Sequence, residues 1–300
     1  MNMIRTMSAV SARSRELRII GAAWGIGARD HRCAQGPAAL AATRPLDQLK
    51  ARGVKATWRD TIAATDAADP FDAIADACRR VADAVEGTIR DGAVPVVVGG
   101  DHSSAIGTWS GARRALDGPL GLVWIDAHMD AHTPDTTPSG AIHGMPVACL
   151  LGRGDSRLTG LAGSGSALRP ANLALIGIRS YESGEAALLA DLGVRIYAMD
   201  EVRRRGLDVV LAEAVDRVST NVAGLGVSVD LDAIDPHGAP GVGSPVAGGF
   251  RGPDVVAALD WASRRANYIG CELAEFNPAL DEGGRTARLI VDLLAAGAEG

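Results

Sequence analysis

The stretch Val123-Trp124-Ile125-Asp126-Ala127-His128-Met129-Asp130 joins an apolar run to an Asp-x-His-x-Asp. The run is too short for a helix and shows no polar alternation, as expected for a strand covered on both faces. In extended chain, residues two apart share a face, so Asp126, His128 and Asp130 converge where the strand ends. Three such groups side by side repel one another and lose solvation unless a cation compensates them.

The same strand-then-helix rhythm recurs along the chain. Further strands are predicted at Leu17 to Ala22, Val54 to Arg59, Val94 to Val98, Leu173 to Ile178, Val194 to Ala198, Leu225 to Val229 and Tyr268 to Leu273, with the one above spanning Leu120 to Ile125. Aliphatic residues at helical spacing predict helices at Phe71 to Arg90, Glu185 to Leu192, Leu207 to Val218, Pro253 to Arg265 and Thr286 to Ala296. Alternating β and α units of this kind build an α/β domain with a parallel sheet. Eight strands fit a closed barrel or an open sheet, and periodicity alone does not choose. Two stretches read as loops, Thr133 to Gly144 and the Gly- and Ser-rich Gly152 to Pro170, the latter too polar for core. Arg153-Gly154-Asp155 within it is an adhesion-like tripeptide common by chance, and no function is assigned to it.

At 300 residues, 47% hydrophobic and 22% charged, the chain has the composition of a globular protein, and one α/β domain accommodates it. A net charge of -6 with scattered basic residues offers no stripe to neutralise phosphates, which argues against a nucleic-acid partner. No apolar run reaches the roughly 20 residues of a membrane helix, so no membrane partner is expected either. Cys33, Cys78, Cys149 and Cys271 are far apart with no C-x-x-C pair, which points to a cytoplasmic protein without disulfides or a thiolate zinc site. Residues 1–16 read as a flexible N-terminal extension; the acid-free Met1 to Arg15 also has a composition shared with transit peptides, and translation could start at Met7. Residues 17–300 are then the catalytic domain.

Polar clusters follow four strands. Val98 leads into Gly99-Gly100-Asp101-His102-Ser103, Ile125 into the Asp-x-His-x-Asp, Val229 into Asp230-Leu231-Asp232, and Leu273 into Glu275. Ligands of parallel α/β proteins bind outside the carboxyl ends of the strands, so the four clusters point to one site. Asp101 and Ser103 are also suited to cap the next helix, and Asp235 before Pro236 to form a turn. His102, Asp126, His128, Asp130, Asp230 and Asp232 together offer two imidazoles and four carboxylates, too many for one tetrahedral zinc. They suit two divalent ions per subunit, and hard ligation without thiolate favours Mn²⁺. Two adjacent ions acidify a shared water and hold it against a substrate carbon or phosphorus, which makes metal-assisted hydrolysis the expected reaction class.

These motifs resemble those of the arginase and agmatinase superfamily, the ureohydrolases, whose signatures G-G-D-H-S, D-A-H-x-D and S-x-D-x-D-x-x-D-P match Gly99 to Ser103, Asp126 to Asp130 and Ser228 to Pro236. The likeness extends to Ile20-Gly21-Ala22, Gly36-Pro37, Ile176 to Arg179 and Glu275 to Pro278. It implies a three-layer αβα fold with an open, mainly parallel eight-stranded sheet, assembled as a homotrimer or homohexamer. It also implies that His102 serves one Mn²⁺ with Asp130, and His128 the other with Asp232, while Asp126 and Asp230 bridge. Glu275 matches the acid that faces a substrate guanidinium, a cation that a carboxylate pairs with well. His143 matches a loop histidine that exchanges protons at the site mouth, and Asp130 is the group that passes a proton to the departing amine.

The Thr133 to Gly144 loop resembles arginases more than agmatinases, because Thr137 and Ser139 stand where a substrate carboxylate is held. Glu182 aligns near the acid for a substrate ammonium, although Asp is usual there and a second Asp is usual at Ser180. His132 and Ala141 replace asparagines, and His132 could donate to the carboxylate instead. The resemblance therefore implies hydrolysis of L-arginine to L-ornithine and urea. Its alternatives are formimidoylglutamate, agmatine or a guanidino acid as substrate. A metallophosphoesterase would need phosphate donors that are not evident, and a noncatalytic relative would be expected to lack a ligand.

Overall fold

The computed structural model describes residues 15–298, so the expected extension lies outside the described residues except for Arg15 and Glu16. The strands are β1 (Leu17–Ala23), β2 (Ala56–Ala63), β3 (Val94–Gly99), β4 (Leu120–Ile125), β5 (Leu168–Ile178), β6 (Arg195–Ala198), β7 (Gly224–Asp230) and β8 (Tyr268–Ala274). The helices are α1 (Gly36–Ala42), α2 (Pro45–Ala51), α3 (Pro70–Arg90), α4 (Ser104–Ala115), α5 (Pro146–Leu150), α6 (Ser156–Thr159), α7 (Ser183–Leu192), α8 (Met199–Arg205), α9 (Leu207–Val218), α10 (Gly252–Ser263) and α11 (Arg285–Ala296). All eight strands join one open sheet in the order β2-β1-β3-β8-β7-β4-β5-β6, every pair parallel. The edges at β2 and β6 settle the choice between barrel and open sheet.

Alternate residues of each central strand feed opposite cores. Val123 and Ile125 of β4 pack with Val96, Val98, Val227 and the apolar faces of α9 to α11. Leu120, Leu122 and Trp124 pack on the other side with Val97 and with α3 and α4. Both faces are covered, and for this reason the strands read as unbroken apolar runs. Helix α3 shows the local logic: Asp69 caps its start by accepting from the Phe71 N–H, Pro70 occupies the first turn, and Ile74, Cys78, Val81 and Val85 form its buried stripe.

The Gly152 to Pro170 stretch is not the surface loop expected. Asp155 caps the short α6, Leu158 and Leu161 are buried, and β5 already begins at Leu168. Scattered apolar residues among glycines and serines carry that packing, and a composition average hides them.

One row of the sheet register aligns Val98, Leu273, Val229 and Ile125 across β3, β8, β7 and β4. The four polar clusters therefore leave the sheet at one level, side by side.

Candidate metal centre

The site is built on strand ends that the sequence cannot vary freely. Gly100 turns the chain out of β3 so tightly that a Cβ there would lie 1.9 Å from the Trp24 carbonyl oxygen. Asp101 follows, fully buried, and does not act with Ser103 as a simple helix cap: the Ser103 side chain makes no capping hydrogen bond at the start of α4. Instead the Asp101 carboxylate accepts from the Gly27 N–H at 2.8 Å and from Ser103, tying the loop after β1 to the site. Asp235 makes the expected turn, accepting from the His237 and Gly248 amides.

His102 is buried, with Nδ1 2.9 Å from Asp230, 3.1 Å from Asp130 and 3.4 Å from Asp126. His128 Nδ1 lies 3.1 Å from Asp232 and 3.6 Å from Asp126. Among the described residues three groups could hold a metal ion: His102 with Asp126, Asp130 and Asp230, and His128 with Asp126 and Asp232, at the strand ends, and His132 with Glu182 and Glu185 at the cavity mouth. Asp126 belongs to the first two; Asp230 is grouped only with the first. All six residues expected from the sequence thus come together.

The electrostatics are those of a cation site. The four aspartates are at most 8% exposed, and charged neighbours compound the cost of burial. Burial and the nearby Asp232 and Asp126 push Asp230 well above the usual carboxylate range, and burial raises Asp232 to about 6 despite His128. Burial also opposes ionisation of Asp126, yet His102 and His128 outweigh it and hold this carboxyl low. Two buried atoms aimed into the cluster, His102 Nδ1 and Asp232 Oδ1, have no hydrogen-bond partner. An unpaired ring nitrogen among carboxylates fits two divalent ions, which would be ligated by every group just named.

Asp130 and Glu275 hold left-handed backbone conformations, at φ 49° and 69°, which are rare for residues with a Cβ. The Asp130 carbonyl accepts from the Val147 N–H and the Glu275 N–H donates to the Gly100 carbonyl, locking both turns. Glu275 is 2% exposed; its Oε1 accepts from the His102 N–H at 2.8 Å and meets His143 Nδ1 at 2.9 Å. Both acids project into a cavity of about 380 Å³ whose wall includes His128, His132, Thr137, Ser139, His143 and Glu182.

Burial works against a charge on His143, but the Glu275 carboxylate prevails and raises the imidazole to about 10. A raised histidine stabilises the fold fully below its ordinary value near 6.5, and that contribution disappears as pH climbs through about 10. In chelator-treated protein, the thermal midpoint of His143→Ala should therefore change less over pH 6.5 to 10 than that of the wild type. Parallel profiles would contradict the pairing.

At the mouth, His132 uses both ring nitrogens, Nε2 with Glu182 at 3.0 Å and Nδ1 with Thr136 at 3.2 Å. Glu182 caps α7 in a capping box with Glu185. Thr137 Oγ1 accepts from the Gly140 N–H and Ser139 Oγ from the Ala141 N–H, and the two hydroxyls lie 3.4 Å apart, so one donates to the other and one hydroxyl proton is left for a ligand.

Sequence reading passed over two residues beneath these six side chains. Trp124 stacks on His102, with ring centres 4.2 Å apart, and donates to Asp126 at 2.8 Å. Glu272 sits fully buried in β8. An acid in the middle of an otherwise apolar strand was the available signal.

Comparison with known proteins agrees with this architecture. The chain matches the Arginase family over residues 15–297. It is 40% identical to arginase of Bacillus caldovelox over 75% of each chain, and 34% identical to arginase of Brevibacillus brevis over 94% of this chain and 97% of the other. The crystal structure of arginase from Bacillus subtilis superposes with a TM-score of 0.88 at 32% identity, covering 95% of this chain and 99% of that one. An eight-stranded parallel sheet, six clustered side chains able to hold metal ions and a match along nearly the whole described length lead to one conclusion: the chain belongs to the arginase family.

Proposed function

We propose that this protein hydrolyses L-arginine to L-ornithine and urea with two Mn²⁺ ions, residues 17–300 forming its catalytic domain. The observation that carries the reading is the pair of ligand groups joined through Asp126 at a cavity that also holds Glu275. The hard oxygen-rich donor set favours Mn²⁺. When bound, the two ions supply an acidified water for attack on the guanidinium carbon.

The chain's own residues do the rest. Glu275 Oε1 is already held by His102 and His143, so Oε2 is the oxygen that receives the guanidinium and fixes its carbon. Asp130, rigid in its left-handed turn, carries a proton to the departing amine. His143, partly exposed on the cavity wall, exchanges protons with solvent. The Thr137 and Ser139 pair donates its remaining hydroxyl proton to the substrate carboxylate, and Glu182 accepts from its ammonium. His132 orients Glu182, and donates to substrate only by giving up that partner.

Beyond the aspartates that would hold the ions, the wall carries Asp30, Glu182, Glu185 and Glu275 against one exposed arginine, Arg29, and His132 and His143. That balance favours a cationic guanidine over a phosphate ester. Formimidoylglutamate, agmatine or a guanidino acid is the second reading, because His132 and Ala141 at the mouth depart from the arginase pattern. The four cysteines are all buried and unpaired, which supports a cytoplasmic setting, and the family resemblance supports a homotrimer or homohexamer.

A substrate panel tests the assignment. Arginine should exceed agmatine in kcat/KM by roughly 10²-fold, because agmatine leaves the donor of the Thr137 and Ser139 pair without a partner. Higher kcat/KM with agmatine, guanidinobutyrate or formimidoylglutamate would overturn the choice of substrate.

A further inference from the structure

We propose that Arg29 is a specificity-determining residue that selects for a carboxylate at the end of the substrate away from its guanidinium. The inference rests on the arginine reading above, in which Glu275 holds the guanidinium, and supplies the group that the opposite end meets. Arg29 stands in the loop between β1 and α1, outside the motifs that mark the site, and is the one arginine or lysine among the described residues of the cavity wall.

The backbone is held on both sides of Arg29. The Gly27 N–H donates to Asp101, and the Gly27 carbonyl accepts from the His143 N–H at 3.1 Å, which seats this loop against the segment that carries Thr137 and Ser139. One residue past Arg29, the Asp30 carboxylate accepts from the Arg32 guanidinium and from the Asn277 side chain at 2.9 Å. Asp30 is thereby occupied, and Glu182 is committed to His132 at 3.0 Å. Among the described residues no acid pairs with Arg29, so its exposed guanidinium is fixed at the base and open at the tip.

A substrate carboxylate needs such a group because the neutral donors nearby are few. Thr137 and Ser139 bond each other and leave one hydroxyl proton, Ala141 offers only a methyl group, and His132 has both ring nitrogens in use. Two carboxylate oxygens would share that single proton. A guanidinium adds several N–H groups in a plane that matches a carboxylate, together with the opposite charge. The same charge gains nothing from a hydrocarbon end and repels an ammonium, so Arg29 discriminates as well as binds.

The experiment assays Arg29→Gln and Arg29→Glu, loaded with Mn²⁺, on arginine and agmatine, which differ by the carboxylate alone. Arg29→Gln should narrow the arginine-to-agmatine ratio of kcat/KM by roughly 10-fold, through a raised KM for arginine, and Arg29→Glu should narrow it further. Calorimetry with L-ornithine and putrescine, a pair with the same difference, reads binding without turnover, and their affinities should converge by a similar factor. A variant that only disturbed the loop would weaken both members of each pair together and leave the ratios in place. A wild type that favours arginine, with ratios unchanged in both variants, overturns the role of Arg29 alone. A wild type that favours agmatine overturns the substrate reading together with it.

Discussion

Asp126→Asn is expected to lose both ions and to reduce turnover on the order of 10³-fold or more, since several kcal/mol of transition-state stabilisation depend on the ions. Asp126 is the residue common to both strand-end groups. Asparagine cannot take its place even as a spacer. One carboxylate oxygen accepts from Trp124 Nε1 at 2.8 Å and the other from the His128 N–H at 2.6 Å, so an amide NH₂ faces a donor in either orientation. The check is metal content per folded subunit measured beside kcat. A variant with wild-type turnover and no bound metal would contradict the assignment.

Glu275→Gln should leave the ions in place and still lower kcat/KM by about 10²- to 10³-fold. Truncating one charge of a buried hydrogen-bonded pair costs about 2–5 kcal/mol, and the substrate guanidinium is the charge left unpaired. The substitution also removes the negative partner of His143, 2.9 Å away. Retained metal with lost kcat/KM separates this role from that of Asp126. Unchanged kcat/KM in the variant would remove Glu275 from guanidinium recognition.

Strand existence was legible because a strand covered on both faces writes itself as a local apolar run, as in Val94 to Val98. The ends were less so: β2 begins at Ala56 rather than Val54, and β5 extends back to Leu168 through residues that resemble loop. Helix α4 carries no aliphatic stripe, because it packs on α3 through small residues. A Cβ at Gly107 would lie 2.5 Å from the Cys78 carbonyl oxygen, so close approach replaces the usual hydrophobic face.

The six metal-ligating candidates could be read because same-face spacing at strand ends is a local property. The placement of Trp124 and Glu272 beneath them could not, since it exists only through register between β4, β7 and β8. Likewise the His132 and Glu182 contact spans 50 residues, and nothing in either local sequence announces it. What remained illegible is pairing at a distance, and the substrate preference depends on it.

The most direct test is a titration of metal-free protein with Mn²⁺ in the presence of L-arginine, following bound metal and urea together. The account expects no urea without metal, and full urea release as occupancy approaches two ions per subunit. Urea production by the chelator-treated protein, or none from arginine with both ions bound, would contradict it.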